Sequence, residues 1–287
     1  MSGTLLILGR SGQLARALET AAGDGSWERV VTAGRSEADL STPGAVRALI
    51  EKTEPGVVIN AAAYTAVDKA ESEPDAAFAV NADGAGEAAA AATEAGARFI
   101  HVSTDYVFSR NGPHGEYAQP DPVNVYGRSK LEGERRVLEA CPRAAIVRTA
   151  GVFSGRGSDF PSAMWRLACE NAPIRVVTDQ RVSPTPADDL AVRLLALAEK
   201  GGSGVFHCAG AKGRSWYKIA EAALAALAKA GGPEREIEPI SSDDMPRPAQ
   251  RPSDSRLSSM RLEEATGLPA PDWKAGLDRA VKVWLSA

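Results

Sequence analysis

The chain has 287 residues, enough for one large domain or two coupled domains around a sizeable core. Its 44% hydrophobic and 24% charged residues are typical of a globular protein in water. The formal net charge of −4 offers no basic footprint for nucleic acid or an anionic membrane, and the apolar N-terminal run is too short for a signal peptide or a membrane span.

The first half of the chain alternates apolar runs with helical patterns. Strands are predicted over residues 4–9, 29–34, 56–63, 97–104 and 144–149, and helices over 12–22, 42–53, 73–96 and 124–139. Thr42 is the predicted N-cap of the second helix, with Pro43 at its first position. This alternation predicts an α/β fold, a Rossmann-type doubly wound parallel sheet with right-handed crossovers.

After residue 153 the pattern becomes less regular. We expect the chain to return to the sheet at about 174–208, and residues 154–173 and 209–287 to form a smaller C-terminal lobe that binds substrate. Residues 244–257 are rich in proline and arginine and cannot form a regular helix or strand. The last segment, 272–287, has an amphipathic helical pattern.

A glycine-rich turn joins the first strand to the first helix. It has the pattern GxxGxxA, in which glycines let the backbone approach a pyrophosphate at the positive end of the helix. The turn therefore predicts a dinucleotide site, with residues 1–153 as its domain and Gly9, Ser11, Gly12, Gln13 and Leu14 as cofactor contacts.

The end of the second strand bears on the choice of cofactor. NAD binders usually place an acid there, whereas this chain has Gly34, Arg35 and Ser36. Arg35 and Ser36 suit a 2′-phosphate, which favours NADPH, although a solvated turn with one arginine is the alternative. Asp39 and Leu40 are expected to border the adenine.

Three polar side chains are predicted to meet at the edge of the sheet where strands end. The fourth strand delivers Thr104 to that edge, and Tyr126 and Lys130 lie on one face of the following helix because they are four positions apart. A hydroxyl, a phenol and an ammonium beside a nicotinamide form a carbonyl-reducing site. An ammonium ~5 Å from the phenol would lower the pKa of Tyr126 by ~2 units, which suits a general acid.

No metal site is expected. The three cysteines are widely spaced and have no CxxC pair, which predicts reduced thiols in a cytoplasmic protein. The three histidines lack metal-ligand spacing, and His101 and His207, both inside predicted strands, are interpreted as packed structural residues.

Longer motifs resemble the dTDP-4-dehydrorhamnose reductase family of extended short-chain dehydrogenases/reductases. They run almost end to end and include GRSGQLA, VVINAAAYTAVDKAESEP, VSTDYVF, NVYGRSKLEGE, VRTAGVFSGRGSDF, VTDQRVSPTPADDL and RPSDSRL. The resemblance implies NADPH-dependent reduction of a dTDP-4-keto-6-deoxyhexose, the last step to dTDP-L-rhamnose, a precursor of cell-surface polysaccharides. NADH is a possible cofactor, and a monomer or weak homodimer is expected.

The resemblance also assigns residues. It implies that Thr104, Tyr126 and Lys130 are catalytic and that the last two also contact the cofactor, which is lined by Asn60, Ala61, Ala62 and Ala63. The substrate contacts expected are Thr104, Asp105, Val107, Phe108, Gly151 and Arg256. Arg247 and Arg251 are further candidates for the substrate diphosphate, because guanidinium groups match phosphate oxygens.

The chain departs from the family pattern in two places. Gly151 stands where the family commonly has tryptophan, which opens the choice of sugar. Ala17, Asp188 and Val283 stand where some relatives hold a dimer-bridging metal with glutamates, so neither that metal nor that dimer is expected. The alternatives are another nucleotide-sugar 4-ketoreductase, or a non-catalytic NADP-binding subunit like the regulatory subunit of methionine adenosyltransferase.

Overall fold

A computed structural model describes residues 3–23 and 27–287. Its strands are β1 (Thr4–Leu8), β2 (Arg29–Ala33), β3 (Val57–Asn60), β4 (Arg98–Thr104), β5 (Ala145–Thr149), β6 (Val152–Phe153), β7 (Arg175–Val177), β8 (Arg181–Val182), β9 (Thr185–Pro186), β10 (Gly204–His207), β11 (Arg214–Ser215) and β12 (Glu238–Ile240). Its helices are α1 (Gln13–Gly23), α2 (Ala45–Thr53), α3 (Val67–Ala70), α4 (Pro74–Phe78), α5 (Gly84–Glu94), α6 (Val125–Ala140), α7 (Phe160–Cys169), α8 (Ala187–Lys200), α9 (Trp216–Lys229), α10 (Met260–Thr266) and α11 (Trp273–Leu285).

Six parallel strands form the central sheet in the order β10-β5-β4-β3-β1-β2. The strand order reverses direction between β1 and β3, and ligands of doubly wound sheets bind at that point, beyond the carboxyl ends of the strands. Register brings Leu8 beside Asn60 and Thr104 beside Thr149 at this edge. The predicted α/β class and parallel sheet are confirmed.

Apolar helix faces cover both sides of the sheet. On one side α1, α8 and α10 contribute Leu18, Leu194 and Leu262 to one buried cluster. On the other side α2, α5 and α6 contribute a second, which includes Ile50 and Val137. These two clusters cover the faces of the sheet, so that the polar residues at the carboxyl ends of its strands lie at the open edge. No helix within the described residues is long and apolar enough to cross a membrane.

The later part of the chain builds a further core from α7, α9 and α11. Trp165 and Leu227 are fully buried there, and the Trp165 indole donates to the carbonyl of Ala223 at 2.7 Å. Small two-stranded sheets, β6-β9, β7-β12 and β8-β11, connect this region with the main sheet. The domain boundaries predicted from the sequence stay predictions.

Two helices differ in detail from the sequence prediction. Thr42 does not cap the second helix: α2 begins at Ala45, and Gly44 precedes it in the left-handed region (φ 84°), with its N–H bound to Glu87 at 2.8 Å. The long helix predicted over 73–96 contains a π-helical turn at Ala79–Asp83. That turn directs the buried Asn81 side chain to the backbone of Tyr64, with bonds of 2.8 and 3.1 Å, instead of continuing a regular helix.

Candidate active site

The glycine turn lies between β1 and α1, close to the loop after β3. Gly9 has a φ of +112°, and a β carbon there would lie 3.4 Å from the backbone nitrogen of Ala62. Gly12, one residue before α1, faces open space. The turn therefore leaves backbone N–H groups accessible at the N-terminus of an 11-residue helix, as a diphosphate requires.

One cleft runs along the carboxyl edge of the sheet. It consists of two cavities of about 500 and 560 Å³ that share Ser11, Gly12, Ala61, Ala63 and Thr65. The first cavity, beside the end of β2, is lined among others by Gly9, Arg35, Asp39, Leu40 and Ala62. The second brings together Gln13, Leu14, Thr104, Asp105, Tyr126, Lys130 and Gly151.

Next to the first cavity lies an acid that was not predicted from the sequence. Glu37 accepts the N–H of Gly34 at 2.9 Å and pairs with Arg10 at 2.5 Å. Arg10 also donates to the carbonyl of Thr32 at 2.7 Å. The hydrogen bond from Ser36, followed by that from Gly34, lowers the pKa of Glu37.

Arg35 is placed less favourably than expected. Its side chain is 82% exposed, and its nearest charged neighbour is Asp39 at 3.7 Å. Arg10, whose side chain is 49% exposed, is bound both by Glu37 and by the carbonyl of Thr32, and it is the better-held cation in the lining of this cavity.

Helix α6, which carries the phenol and the amine, is held by backbone contacts. Asn124 caps it by accepting the N–H of Gly127 at 2.7 Å, as a polar N-cap should. A β carbon at Gly127 would lie 2.2 Å from the carbonyl oxygen of Tyr106, and one at Gly133 would lie 2.0 Å from that of Asn81. The helix is thus in direct contact with the backbone of the turn after β4 and with the π-helical turn at Ala79–Asp83.

A buried ion pair anchors the middle of the same helix. Glu134 accepts two bonds from Arg148 on β5, at 2.9 and 2.6 Å, and one from Ser103 on β4 at 2.5 Å. All three side chains are buried. This network fixes the distance between α6 and the sheet.

Lys130 is almost completely buried behind the cleft wall. Its Nζ donates to the carbonyl of Val102 at 2.8 Å and lies 3.1 Å from Nε2 of His101. Burial lowers the pKa of Lys130 to about 8, and the charge of Glu134 opposes that shift. His101 is therefore in direct contact with the site instead of being only a packed strand residue.

Tyr126 does not show the lowered pKa that the sequence analysis expected. Burial raises the pKa of its phenol to about 12, the hydrogen bond with Thr104 opposes the shift, and the charge of Asp105 adds to it. The ring packs edge-on against Tyr106 with 5.7 Å between centroids. The cost of burying a phenolate in the cleft outweighs the attraction of the Lys130 charge, from which the lowered pKa was predicted.

Asp105 lies beside the hydroxyl of Thr104, which donates to it at 3.2 Å. Ser255, far along the chain, donates to its other oxygen at 2.5 Å. Burial raises the pKa of Asp105 to about 7, while the bonds from Ser255 and Thr104 act in the other direction.

Some expected site residues lie elsewhere. Val107 and Phe108 are fully buried, and Phe108 stacks on His114 at 4.0 Å, so neither side chain lines the cleft. Arg256 is held by both oxygens of Asp254, at 2.7 and 2.6 Å, and by the carbonyl of Gly112 at 2.8 Å. Asn60 lines neither cavity but accepts the N–H of Ala62 at 3.1 Å, which holds the loop after β3 in place.

Gly151 lines the cleft in a left-handed conformation (φ +49°). A β carbon there would meet Pro184 at 3.4 Å and the ring of Trp216 at 3.5 Å. Trp216 in turn packs on Phe160, with ring centroids 4.5 Å apart. An aromatic side chain from α9 thus lies next to the position where the family commonly has tryptophan.

The cleft fits a nicotinamide dinucleotide. Its glycine turn is open to a diphosphate, and the buried hydroxyl of Thr149 in its lining has no hydrogen-bond partner among residues 3–23 and 27–287. Such a hydroxyl is costly to bury unless a ligand satisfies it. In the same described ranges, no group of three His, Cys, Asp or Glu side chains could hold a metal ion.

Four residues that contribute to this site were not singled out in the sequence: Arg10, Glu37, Thr149 and Ser255. Arg10 lies inside the glycine motif, and Glu37 lies three residues after Gly34 at the end of the second strand. Both could therefore have been identified from their closeness in sequence to the predicted cofactor contacts. Thr149 ends a predicted strand and could have been found by the reasoning used for Thr104. Ser255 lies in the RPSDSRL motif, but its partner Asp105 is 150 residues away in sequence, and the motif does not identify that contact.

Comparison with known proteins agrees with this geometry. Residues 3–285 match the family model described as the RmlD substrate binding domain. A dTDP-4-dehydrorhamnose reductase from Sinorhizobium fredii is 40% identical over 286 residues, covering 96% of each chain. A crystal structure of a dTDP-4-dehydrorhamnose reductase from Clostridium acetobutylicum superposes with a TM-score of 0.92 at 35% identity, covering 99% of this chain and 100% of that one. The enzyme from Bacillus anthracis, solved in complex with NADP, superposes with a TM-score of 0.92 at 32% identity and the same coverage. The chain therefore belongs to the dTDP-4-dehydrorhamnose reductase family.

Proposed function

We propose that this protein reduces the 4-keto group of dTDP-4-dehydro-L-rhamnose to give dTDP-L-rhamnose, with NADPH as the reductant. One observation carries the proposal: Thr104, Tyr126 and Lys130 line one cavity, and that cavity is continuous with the open glycine turn. The names of the similar enzymes and the NADP in one of their structures support the same activity.

The cofactor would lie along the cleft. Ser11 and Gly12 would hold its diphosphate, which the side-chain-free Gly9 lets approach the turn, and Arg10 would hold the 2′-phosphate. Thr149 would bond the nicotinamide end, because its hydroxyl is buried in the lining of the reaction cavity. When bound, the reduced nicotinamide supplies the hydride.

Tyr126 would be the general acid. Its raised pKa keeps the phenol protonated at neutral pH. The alkoxide left by hydride addition is a stronger base than a phenolate, so proton transfer from the phenol to the new hydroxyl is favourable. Thr104, which already donates to Asp105, would instead bond the carbonyl oxygen and fix its direction.

Two arginines of the 244–257 loop, Arg247 and Arg251, are the candidates that would bind the substrate's diphosphate. Arg251 pairs with both oxygens of Asp68, at 2.9 and 2.8 Å, and Arg247 lies 3.8 Å from the same carboxylate. Burial raises the pKa of Tyr106, whose ring packs on Tyr126, and the charges of both arginines oppose that shift. Arg247, half-exposed and loosely paired, is the better candidate, whereas Arg256 is fully engaged by Asp254.

A second candidate function is reduction of a different 4-keto nucleotide sugar. The observation that favours it is the position of the aromatic side chains at the cleft wall. Gly151 carries no side chain, and the ring of Trp216, packed on Phe160, lies behind it. A sugar ring would contact a differently shaped wall from that of a relative with tryptophan at this position.

NADPH oxidation with a panel of 4-keto nucleotide sugars, with products identified by NMR, tests both candidates. We expect turnover of dTDP-4-dehydro-L-rhamnose to dTDP-L-rhamnose. Rapid reduction of another keto-sugar with no turnover of this one would assign the second function. Tight NADPH binding with equally negligible reduction by wild type and Tyr126→Phe would indicate a non-catalytic binding subunit.

We further propose that the protein acts in the cytoplasm as a monomer or weak homodimer. Support for the compartment comes from the free thiols of Cys141, Cys169 and Cys208. Sedimentation velocity over a range of protein concentrations tests the oligomeric state.

A further inference from the structure

His101 lies between the amine of Lys130 and the amide of Asn60. It is fully buried on β4, and its two ring nitrogens face different partners. Nδ1 is 3.2 Å from Nδ2 of Asn60, and Nε2 is 3.1 Å from Nζ of Lys130. The order of donors and acceptors along this chain decides where the imidazole proton lies.

The amide of Asn60 has one orientation that satisfies both of its neighbours. Its oxygen accepts the backbone N–H of Ala62 at 3.1 Å, so its NH₂ group faces His101. The reverse orientation would set two donors against each other at Ala62. Because Asn60 donates, Nδ1 of His101 accepts, and a neutral imidazole then carries its proton on Nε2.

The proton on Nε2 points at the amine of Lys130. An ammonium group has three donors and no acceptor, so it cannot complete this bond, whereas a neutral amine accepts it through its lone pair. The neutral amine can still donate to the carbonyl of Val102, 2.8 Å away. The arrangement of Asn60, His101 and Lys130 is therefore complete when Lys130 is uncharged.

Protonation of Lys130 reverses the preference. The ammonium must donate to Nε2, which moves the imidazole proton to Nδ1 and sets it against the Asn60 amide. We infer that His101 is a positioning residue that switches tautomer with the charge of Lys130, stabilising the neutral amine and so letting Lys130 exchange a proton when cofactor binds. The inference rests on the proposed assignment of Lys130 to the cofactor site.

The surrounding charges agree with this role. Glu134 on α6 favours the ammonium, but its carboxylate is already bound by Arg148 on β5 and by Ser103. The other titratable groups in the lining of this cavity are Tyr126, Asp105, Arg16 and Arg156. Burial and the charge of Lys130 hold the pKa of His101 well below its usual range, so the imidazole itself stays neutral.

NMR of the cofactor-free protein tests the switch without any turnover. In ¹⁵N-histidine-labelled protein, long-range ¹H–¹⁵N spectra separate the two neutral tautomers. We expect His101 to carry its proton on Nε2 at pH 10 and on Nδ1 at pH 6, with a midpoint near pH 8, where Lys130 titrates. Lys130→Met should abolish the transition. A single tautomer across this range in wild type would overturn the inference.

Calorimetry supplies a second readout. The anionic cofactor favours the ammonium, so NADPH binding at pH 8.5, measured in buffers of different ionisation enthalpy, should be accompanied by uptake of about half a proton or more. In His101→Gln the side-chain oxygen can accept from an ammonium at any pH, so more of Lys130 should be protonated before NADPH binds and uptake should fall clearly below that of wild type. His207→Gln, a control at the other fully buried strand histidine, should retain the wild-type uptake.

The outcomes separate this inference from the proposed function. Equal proton uptake by wild type and His101→Gln would overturn the role of His101 whatever the enzyme reduces. A tautomer switch together with normal uptake, in a protein that reduces no keto-sugar, would leave the inference standing and remove the proposed reaction.

Discussion

Replacing Arg10 with alanine should weaken NADPH binding by about 5–30-fold and leave NADH binding nearly unchanged. The two cofactors differ only in the 2′-phosphate, so the difference must come from groups at the adenosine end. Arg10 is a better candidate for this contact than Arg35, because Arg10 is half-exposed and bound to Glu37 and Thr32, while Arg35 is 82% exposed and lies 3.7 Å from Asp39.

The magnitude follows from the environment of the guanidinium group. A charge-assisted hydrogen bond to phosphate is worth ~1.5–3 kcal/mol when shielded. Half exposure and competition from Glu37 reduce the expected loss to about 1–2 kcal/mol. For Arg35 the expected loss of affinity is about twofold or less, because an exposed charge is screened by solvent. Glu37→Gln should strengthen NADPH binding, since it removes a carboxylate that competes for Arg10 and repels the phosphate.

Isothermal titration of both cofactors at two salt concentrations measures these effects. Arg35→Ala is the matched control, because it removes the same charge from the same cavity. A larger loss of NADPH affinity in Arg35→Ala than in Arg10→Ala would refute the reasoning. An equal loss of NADH and NADPH affinity in Arg10→Ala would refute it as well, since it would show that Arg10 does not contact the 2′-phosphate.

Three further predictions concern the reaction centre. Tyr126→Phe should lower the single-turnover rate of keto-sugar reduction by ~10²–10⁴ with NADPH affinity unchanged, and a rate within tenfold of wild type would exclude Tyr126 as the acid. Gly127→Ala should lower the free energy of unfolding, measured in urea, by about 2 kcal/mol or more, because its β carbon would lie 2.2 Å from a backbone oxygen. Gly115→Ala, which has open space around it, should unfold like wild type, and equal stability of the two variants would contradict the close packing of α6. Burial raises the pKa of Asp105 to about 7, so between about pH 4 and 7 the folded state keeps a proton that the unfolded chain loses, and stability falls as the pH rises. The Tm of Asp105→Asn should therefore exceed that of wild type by more at pH 8 than at pH 5. A Tm difference that does not change with pH would contradict this.

The fold could be predicted because its signals are local. Apolar runs, glycine turns and helix periodicity located β1 to β5 to within a few residues, and the alternation of strands and helices determined a parallel sheet. The second helix was placed one turn too early, because the Thr42-Pro43 pattern of a helix start is followed by Gly44 in a left-handed conformation.

The candidate site could be predicted only in part. The positions of Thr104, Tyr126 and Lys130 follow from strand ends and helix spacing, and the structure does bring them into one cavity. The pKa of Tyr126 could not be predicted, since the cost of burying a phenolate depends on packing around the cleft. The ion pair between Arg256 and Asp254 could not be predicted either, because a motif identifies an arginine but not the carboxylate that binds it.

The left-handed backbone at Gly151 limits how the substrate range of this enzyme can be changed by mutation. Any β carbon introduced there adopts a conformation that costs ~1 kcal/mol or more, and it does so in contact with Pro184 and Trp216. We therefore expect a large side chain introduced at this position alone to destabilise the protein. Libraries intended to alter sugar selectivity should vary Gly151 and Trp216 together, since a smaller residue at Trp216 opens the space that a new side chain needs. Recombination with relatives that carry tryptophan at this position should succeed only when both segments come from the same parent.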